Sequence, residues 1–178
     1  MSTGLADLLG YVVRRPNGFQ RFGQRVASSR PGAWLLARTL TPLDRVLQRL
    51  TGGRSSLPTL FAGLPVVEVT TRGRRSGQLR TNPLVAVPFG GNLALIGTNF
   101  GQAATPGWVY NIEADPHVVI GYRGRRVEAV ARHADEEEAA SIWQRAAEMY
   151  PGYELYKRRI RGRRIRVFVL EAARPSES

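Results

Sequence analysis

Arginines and amide side chains between Thr70 and Asn111 form the clearest candidate for an anion-binding site in this sequence. A basic turn, T-T-R-G-R-R-S-G-Q-L-R-T-N-P, ends at Pro83, and a second segment, P-G-W-V-Y-N, begins at Pro106. Guanidinium groups present planar forks of N–H donors that suit phosphate and carboxylate oxygens. Neither segment supplies a nucleophile or a metal ligand. We therefore expect any chemistry at this site to belong to a bound cofactor.

The basic turn has two interpretations, an anion site or a hairpin tip that carries solvated arginines. Gly73 and Gly77 favour the anion site, because glycine lets backbone N–H groups approach an anion closely. Arg80 and Asn82 also favour it, since alternate residues of a strand face the same way and would extend the donors along a track.

Aromatic residues supply a second set of candidates. Trp108 and Asn111 are three residues apart and would share a helical face, where the pair could contact a flat heterocycle. A core tryptophan is the simpler interpretation. Tyrosines recur at every third position, at Tyr150, Tyr153 and Tyr156. They form either a packed aromatic edge or a cluster of hydroxyls that orients a carbonyl and donates a proton or hydrogen bond.

The elements that must position these residues are mostly β-strands. Segments rich in β-branched and apolar residues are separated by turns that contain glycine, a pattern typical of strands. The predicted strands are Val66–Thr71, Leu79–Phe89, Leu93–Thr98, His117–Tyr122, Arg125–His133 and Ile165–Leu170. Because hairpin signals join most of them, we expect a small antiparallel barrel of about six strands with flanking helices, rather than a parallel sheet.

Two helices are predicted beside the strands. Thr105 as the capping residue and Pro106 at the first helical position predict a short helix that contains the Trp108 segment. Asp135 and Glu138 predict a longer helix with an acidic start, which suits the helix dipole, and it extends to Met149.

The first sixty residues predict a helical, basic extension, residues 1–60, in front of a barrel domain, residues 61–178. Helical spacing of apolar residues begins at Leu5, and a second helix is predicted from Thr41 to Leu50. The apolar positions of the first helix are Leu5, Leu8, Leu9 and Val12. The segment between, residues 14–38, is basic and contains Phe19, Phe22 and Trp34. This extension either packs on the barrel as a pair of helices, or contacts a membrane surface or lines an apolar substrate entrance.

Composition narrows the class of protein. The 178 residues include 26 basic and 14 acidic side chains, a net charge of +12, and no cysteine. The charge suits nucleic acid, an anionic membrane or an anionic small molecule, although a genome of high GC content also enriches arginine. No apolar run approaches the roughly 20 residues of a membrane span, and no secretory signal is evident, so we expect a cytoplasmic protein.

Two further interpretations follow from the basic residues. The run from Lys157 to Arg166 contains seven basic side chains, which we interpret as a solvated face, with a membrane contact as the alternative. Nucleic acid is not expected as a partner, because the sequence lacks helix-turn-helix, zinc and aromatic-sheet signatures.

From about Leu64 to Leu170 the sequence closely resembles the deazaflavin-dependent nitroreductase family, the actinobacterial split β-barrel enzymes that use coenzyme F-420. The resemblance is carried by three motifs in the same order: T-T-R-G-R-R-S-G-Q-L-R-T-N-P-L, T-P-G-W-V-Y-N-I-E-A-D-P and M-Y-P-G-Y-E-L-Y. It implies a split β-barrel like those of the flavin reductases and pyridoxamine-phosphate oxidases.

The resemblance also implies residue roles. Cofactor-binding residues would be Arg74, Arg75, Ser76, Gly77, Gln78, Arg80, Asn82, Pro83, Gly97, Thr98, Asn99, Trp108 and Asn111. Within this set, Arg74, Arg75 and Ser76 would hold the cofactor phosphate. Tyr150, Tyr153 and Tyr156 would face the substrate as catalytic candidates, with Tyr153 the first choice as the middle member.

The activity implied is transfer of a hydride from reduced coenzyme F-420 to a lipophilic, electrophilic small molecule, without a metal. A quinone is the leading acceptor, and nitroaromatic reduction is an adventitious activity. This chain departs from the family's best-known member at Val85 and at Thr98-Asn99-Phe100, which alters the pocket wall and leaves the acceptor open. The alternatives are reduction of activated double bonds in a lipid or natural product, or a non-catalytic cofactor- or lipid-binding protein.

Overall fold

The computed structural model describes residues 4–13 and 64–173 of the chain. In these ranges the strands are β1 (Val66–Arg72), β2 (Leu79–Val85), β3 (Val87–Phe89), β4 (Asn92–Ile96), β5 (His117–Tyr122), β6 (Arg125–His133) and β7 (Val167–Ala172). The helices are α1 (Leu5–Leu9), α2 (Gly107–Ala114), α3 (Glu136–Met149) and α4 (Gly152–Arg159), with a 3₁₀ turn at Asn99–Gly101.

The described strands form one antiparallel sheet with the order β2-β1-β5-β6-β7-β4-β3. The strands β2 and β3 lie at its opposite edges, yet only Ala86 separates them in the chain. The sheet must therefore curl until its two edges meet at this residue, which is the geometry of a half barrel. The expected antiparallel barrel is confirmed.

The number of strands differs from the prediction because the single strand expected over Leu79–Phe89 is two strands. Its first part pairs with β1, from Arg72 opposite Leu79 to Val66 opposite Val85. Its second part pairs with β4 at the other edge of the sheet. Apolar residues continue through the break, so the composition of the segment carries no signal of the change in partner.

Two apolar clusters use opposite faces of the sheet. One contains Leu93, Leu95 and Phe168 together with residues of α1 and α2. The other contains Ala94 and Ile96 of the same strand, with residues of α3 and α4. Because neighbouring residues of β4 enter different clusters, this strand is buried on both faces. The helices α3 and α4 thus cover the side of the sheet opposite to α1.

The first described helix is shorter than its apolar spacing predicted. Leu5 and Leu9 are buried in the core, whereas Leu8 and Val12 are 40% and 49% exposed, and Val12 lies beyond the end of the helix. The reason is that Gly10 adopts a left-handed conformation, φ 60°, and ends the helix. Residues 4–13 nevertheless pack against the barrel. The boundary near residue 60, the helix predicted from residue 41 and the basic segment 14–38 lie outside the described residues.

The capping residues predicted at the starts of α2 and α3 were correct at α3 and wrong at α2. Asp135 and Glu138 form the expected capping box, with the Asp135 carboxylate accepting from the Glu138 N–H at 2.8 Å. At α2, the expected Thr105 cap is wrong, because Pro106 is extended (ψ 145°) and precedes the first helical residue, and no side chain caps this end. Position 106 therefore flanks the helix instead of starting it.

Candidate cofactor site and tyrosine cluster

The basic turn between β1 and β2 is compact. The Gly73 N–H donates to the Gln78 carbonyl at 2.8 Å, and the Gly77 N–H donates to the Gly73 carbonyl at 2.7 Å. A Cβ at position 73 would lie 2.8 Å from the Ser76 hydroxyl oxygen and 3.2 Å from Arg80 Nε. Glycine therefore leaves room for the Ser76 and Arg80 side chains to pack close to the backbone of the turn. Gly77 has φ 66°, which also favours glycine.

The positive charges of the turn are mostly unneutralised. Arg72 forms an ion pair with Asp115 at 3.5 Å. Among the residues that the structure describes, no carboxylate pairs with Arg74, Arg75 or Arg80, and all three are exposed. A group of unpaired guanidinium groups attracts and binds anions.

The helix α2 anchors this turn from behind. The buried Asn111 side chain accepts from the Arg74 backbone N–H at 3.2 Å and donates to the Thr71 hydroxyl at 3.1 Å. The guanidinium of Arg74 lies over the Tyr110 ring, 4.4 Å from its centroid. Asn111 thus sets the position of the turn. Tyr110 was not identified from the sequence, although it lies between Trp108 and Asn111, which were both singled out from the same motif.

Trp108, on the same helix, is 7% exposed and packs against Phe168 in the core, with the ring centroids 6.0 Å apart. The interpretation as a core tryptophan therefore describes its packing in this structure. Contact of Trp108 or Asn111 with a flat heterocycle stays a prediction.

The segment after β4 approaches α2 closely. A Cβ at Gly97 would lie 2.9 Å from Val109 Cγ2, so glycine allows the segment to pass directly beside the helix. The next residue, Thr98, is buried, and the Asn99 side chain donates to the Ala104 carbonyl at 3.0 Å. Of the three predicted cofactor residues at 97–99, Gly97 therefore lies directly beside α2, and the other two follow it in the same loop. We call residues 97–102 the β4 loop.

Arg163 holds the β4 loop from the other side. Its guanidinium donates to the carbonyls of Gly97, Thr98 and Gln102 at 3.1, 3.1 and 3.2 Å. Arg166 is also partly buried and pairs with Glu113 of α2 at 3.0 Å. The interpretation of the run 157–166 as a solvated face is therefore wrong for these two arginines, because they turn inward toward carbonyl and carboxylate oxygens.

The three tyrosines form one buried cluster. The ring centroids of Tyr150, Tyr153 and Tyr156 lie 5.9 to 6.2 Å apart, and the hydroxyls of Tyr150 and Tyr156 are 3.2 Å apart. Tyr153 also packs edge-on against Trp143. The cluster forms because α3 ends before Tyr150 and the chain restarts as α4 at Gly152, where a Cβ would overlap the Tyr150 ring.

Burial controls the ionisation of these tyrosines. Removal from solvent, and to a lesser extent the neighbouring Tyr150 hydroxyl, raises the pKa of Tyr153 and of Tyr156 well above its ordinary value. Both hydroxyls therefore stay protonated at neutral pH. They can donate hydrogen bonds, but they cannot act as bases.

Tyr156 connects this cluster to the β4 loop. Its ring lies edge-on to Phe100, with the centroids 6.5 Å apart, and a Cβ at Gly101 would lie 3.0 Å from Tyr156 Cδ1. Contacts thus run without a break from the basic turn through α2 and the β4 loop to the tyrosine cluster. The remaining candidates lie along the turn and β2: Gln78 at the exposed turn, and Asn82 and Pro83 half-buried on the edge strand.

Tyr11 is a second residue that sequence reasoning missed. Its hydroxyl donates to the carbonyls of Ala86 and Pro65 at 2.6 and 3.2 Å, and its ring lies 5.0 Å from that of Tyr122. Tyr11 therefore ties the N-terminal segment to the point where the two sheet edges meet. No local pattern marks it, since its partners are more than fifty residues away.

Comparison with known proteins identifies the family. The sequence profile of the F420H(2)-dependent quinone reductase family matches residues 42–172. The chain belongs to this family. A protein of Mycobacterium tuberculosis named as an F420H(2)-dependent quinone reductase is 30% identical over 105 residues, which is 58% of this chain and 81% of the relative. The expected coenzyme F-420-dependent oxidoreductase is thereby confirmed.

Solved structures agree with the fold. The structure of an F420-H2 dependent reductase, FDR-A, is 33% identical, with a TM-score of 0.55 over 60% of this chain and 94% of its own. A structure described as a domain-swapped dimer is 31% identical, with a TM-score of 0.57 over 79% of this chain and 99% of its own. The split β-barrel expected from the sequence is confirmed.

The residues present fit coenzyme F-420. Its phosphodiester and carboxylate tail needs several cationic donors, and the exposed Arg74, Arg75 and Arg80 offer them without competing carboxylates in the described part of the chain. Within residues 4–13 and 64–173, no group of three or more His, Asp or Glu side chains is arranged to hold a metal ion. In the same ranges, none of the helices has the length and apolar character of a membrane span.

Proposed function

We propose that this family member transfers a hydride from reduced coenzyme F-420 to a lipophilic, electrophilic acceptor, with a quinone as the leading candidate and nitroaromatics as adventitious substrates. The observation that carries the proposal is the continuous path of contacts from the unpaired arginines of the basic turn to the buried tyrosine cluster. One end of this path suits a polyanionic tail, and the other end is apolar with hydroxyl donors.

The chain's own residues would bind and orient the cofactor. Arg74, Arg75 and Ser76 would hold the phosphate, while Arg80 and Asn82 would continue the donors along β2. The β4 loop, packed against α2, would contact the ring. When bound, reduced coenzyme F-420 supplies the hydride, and the protein supplies position and electrostatics.

The tyrosine cluster would act on the acceptor. Negative charge develops on an acceptor oxygen as hydride arrives, and a fixed hydroxyl donor nearby stabilises it. Tyr153 as the first choice stays a prediction. The geometry favours Tyr156, because it touches the β4 loop, whereas Tyr153 packs in the interior against Trp143. A raised tyrosine pKa makes hydrogen-bond donation the favoured role over release of a proton.

The decisive experiment compares coenzyme F-420 with FMN by titration of the intrinsic tryptophan fluorescence. FMN carries one phosphate, so we expect tighter binding of coenzyme F-420, which presents more charge to the arginines. Arg74→Ala with Arg75→Ala should weaken coenzyme F-420 at least about tenfold, because each charge-assisted hydrogen bond is worth about 1.5–3 kcal/mol. Turnover with a quinone, compared with an unsaturated ester, then separates quinone reduction from double-bond reduction.

The matched control is Arg123→Ala with Arg126→Ala, which removes two charges at the β5–β6 hairpin and should leave the affinity within about twofold once salt screens the long-range field. If both double variants lose the same affinity for coenzyme F-420, the basic turn contributes only through net charge and is not a specific binding site. Binding of coenzyme F-420 without turnover of any acceptor would favour a non-catalytic binding protein. The peripheral membrane contact proposed for the basic N-terminal segment lies outside the described residues and stays a prediction.

A further inference from the structure

Arg163 makes an unusual set of contacts for an arginine in a basic surface run. Its two terminal nitrogens donate to three carbonyl oxygens, those of Gly97, Thr98 and Gln102, all within the β4 loop. No carboxylate pairs with it among the residues that the structure describes. The two terminal nitrogens of the guanidinium therefore both donate to the backbone of one loop. The Arg163 Nε is buried and has no hydrogen-bond partner among the described residues.

The loop that Arg163 grips has a strained backbone. Asn99, Phe100 and Gly101 follow one another with φ values of 49°, 55° and 80°. Left-handed conformations are costly for residues other than glycine, and they persist where surrounding contacts over-determine them. The three donated hydrogen bonds bracket this stretch, two before it and one after it, and such charge-assisted bonds are among the strong ones.

The β4 loop that Arg163 holds lies between α2 and the tyrosine cluster. Its first residue, Gly97, touches α2 through Val109, and its later residues Phe100 and Gly101 touch Tyr156. A shift of the loop would therefore change the spacing between the helix that anchors the basic turn and the tyrosine that we place near the acceptor.

We propose that Arg163 is a positioning residue that holds the β4 loop in the conformation that receives the coenzyme F-420 ring. This inference rests on the proposed function. Arg163 acts through the backbone of residues 97–102 and not through direct contact with the reacting atoms. The planar fork matters as well as the charge, because one guanidinium reaches three carbonyls that point at it from different residues.

The test uses the full chain and begins without cofactor. Hydrogen exchange of the backbone amides of residues 97–102 is compared in the wild type, Arg163→Met and Arg163→Lys. We expect exchange to be at least about tenfold faster in both variants, because the strained loop opens locally while the core strands keep their protection. Arg161→Met, which removes an exposed charge two residues away, is the matched control and should leave the loop exchange unchanged.

The second readout is binding of coenzyme F-420 at a temperature far below unfolding. We expect the dissociation constant to rise by about tenfold in Arg163→Met and in Arg163→Lys, with a smaller change of kcat at saturating cofactor, because lost pre-organisation appears mainly in binding. If Arg163→Met does not fold, Arg163→Lys carries the test, since it keeps the charge and loses only the fork.

Two results of the exchange experiment would overturn the inference. Loop exchange equal to that of the wild type would show that Arg163 does not hold the loop. A uniform loss of protection across loop and core, with unchanged affinity in the folded fraction, would make Arg163 a general stabilising residue. If the wild type itself does not bind coenzyme F-420, the proposed function fails first. If the wild type binds and the Arg163 variants bind equally well, only the role of Arg163 fails.

Discussion

Replacing Asn111 by alanine tests whether α2 sets the position of the basic turn. The Asn111 side chain is 7% exposed and makes two hydrogen bonds, to the Arg74 N–H at 3.2 Å and to the Thr71 hydroxyl at 3.1 Å. Each bond contributes about 1 kcal/mol net, and the loss of one of its two partners at the buried Thr71 hydroxyl adds up to about 2 kcal/mol, less than the cost of a fully unpaired group. The Thr71 hydroxyl retains only a long contact of 3.5 Å to the Arg80 carbonyl.

The expected loss of stability for Asn111→Ala is therefore about 2–4 kcal/mol. For a protein of this size, that corresponds to a fall in Tm of about 5–15 °C in a thermal unfolding scan. The affinity for coenzyme F-420 should also fall, by about tenfold, because the freed Arg74 backbone lets the turn sample other conformations and binding must order it again.

The matched variant is Thr71→Val, which breaks the hydrogen bond to the Asn111 amide nitrogen but keeps the one that anchors Arg74. It should lower stability by about 1–2 kcal/mol and leave the cofactor affinity within about twofold. The reasoning is refuted if Asn111→Ala binds coenzyme F-420 as tightly as the wild type, since the turn would then be held by its own hydrogen bonds. It is also refuted if both variants lose affinity in proportion to their lost stability.

Two further predictions concern pH and the acceptor. The Arg132 guanidinium, and to a lesser extent the Asp135 N–H, lowers the pKa of Glu138 from 4.5 to about 2. This carboxylate therefore stabilises the fold fully above about pH 5, and its contribution is lost as the pH falls toward about 2. The Tm difference between the wild type and Glu138→Gln should be constant from about pH 7 to 5 and shrink below about pH 4; a constant difference down to pH 2 would contradict this. Tyr156→Phe should lower quinone turnover about ten- to a thousandfold with little change in cofactor affinity, because it removes one positioned donor. Tyr153→Phe should have the smaller effect, and full turnover in both variants would make the cluster purely structural.

Local signals in the sequence were enough for most of the elements. Hairpin residues with positive φ, such as Gly90 and Gly91, reverse the chain sharply, and β5 and β6 begin and end where alternation and turn residues predicted. The capping box at Asp135 placed the start of α3. These signals act between residues a few positions apart, so the sequence can be read for them directly.

Local signals of this kind predicted only part of the candidate site. The basic turn and the three tyrosines are contiguous motifs, and their donors and rings can be recognised by residue type. In contrast, the Asn111 amide bonds to Thr71 and to Arg74, which lie 40 and 37 positions away in the chain. No spacing rule reports such a contact.

Closure of the barrel decided what the sequence alone left open. The strands β2 and β3 separate to opposite edges at Ala86, and only this arrangement brings the Tyr11 hydroxyl to the carbonyls of Pro65 and Ala86. It likewise turns Arg163 from a basic surface run toward a loop more than sixty positions earlier. Residue type determined which groups could donate, accept or pack. The free energy of burying both faces of the sheet determined which of them meet, because that term depends on the closed fold as a whole and not on any segment of it.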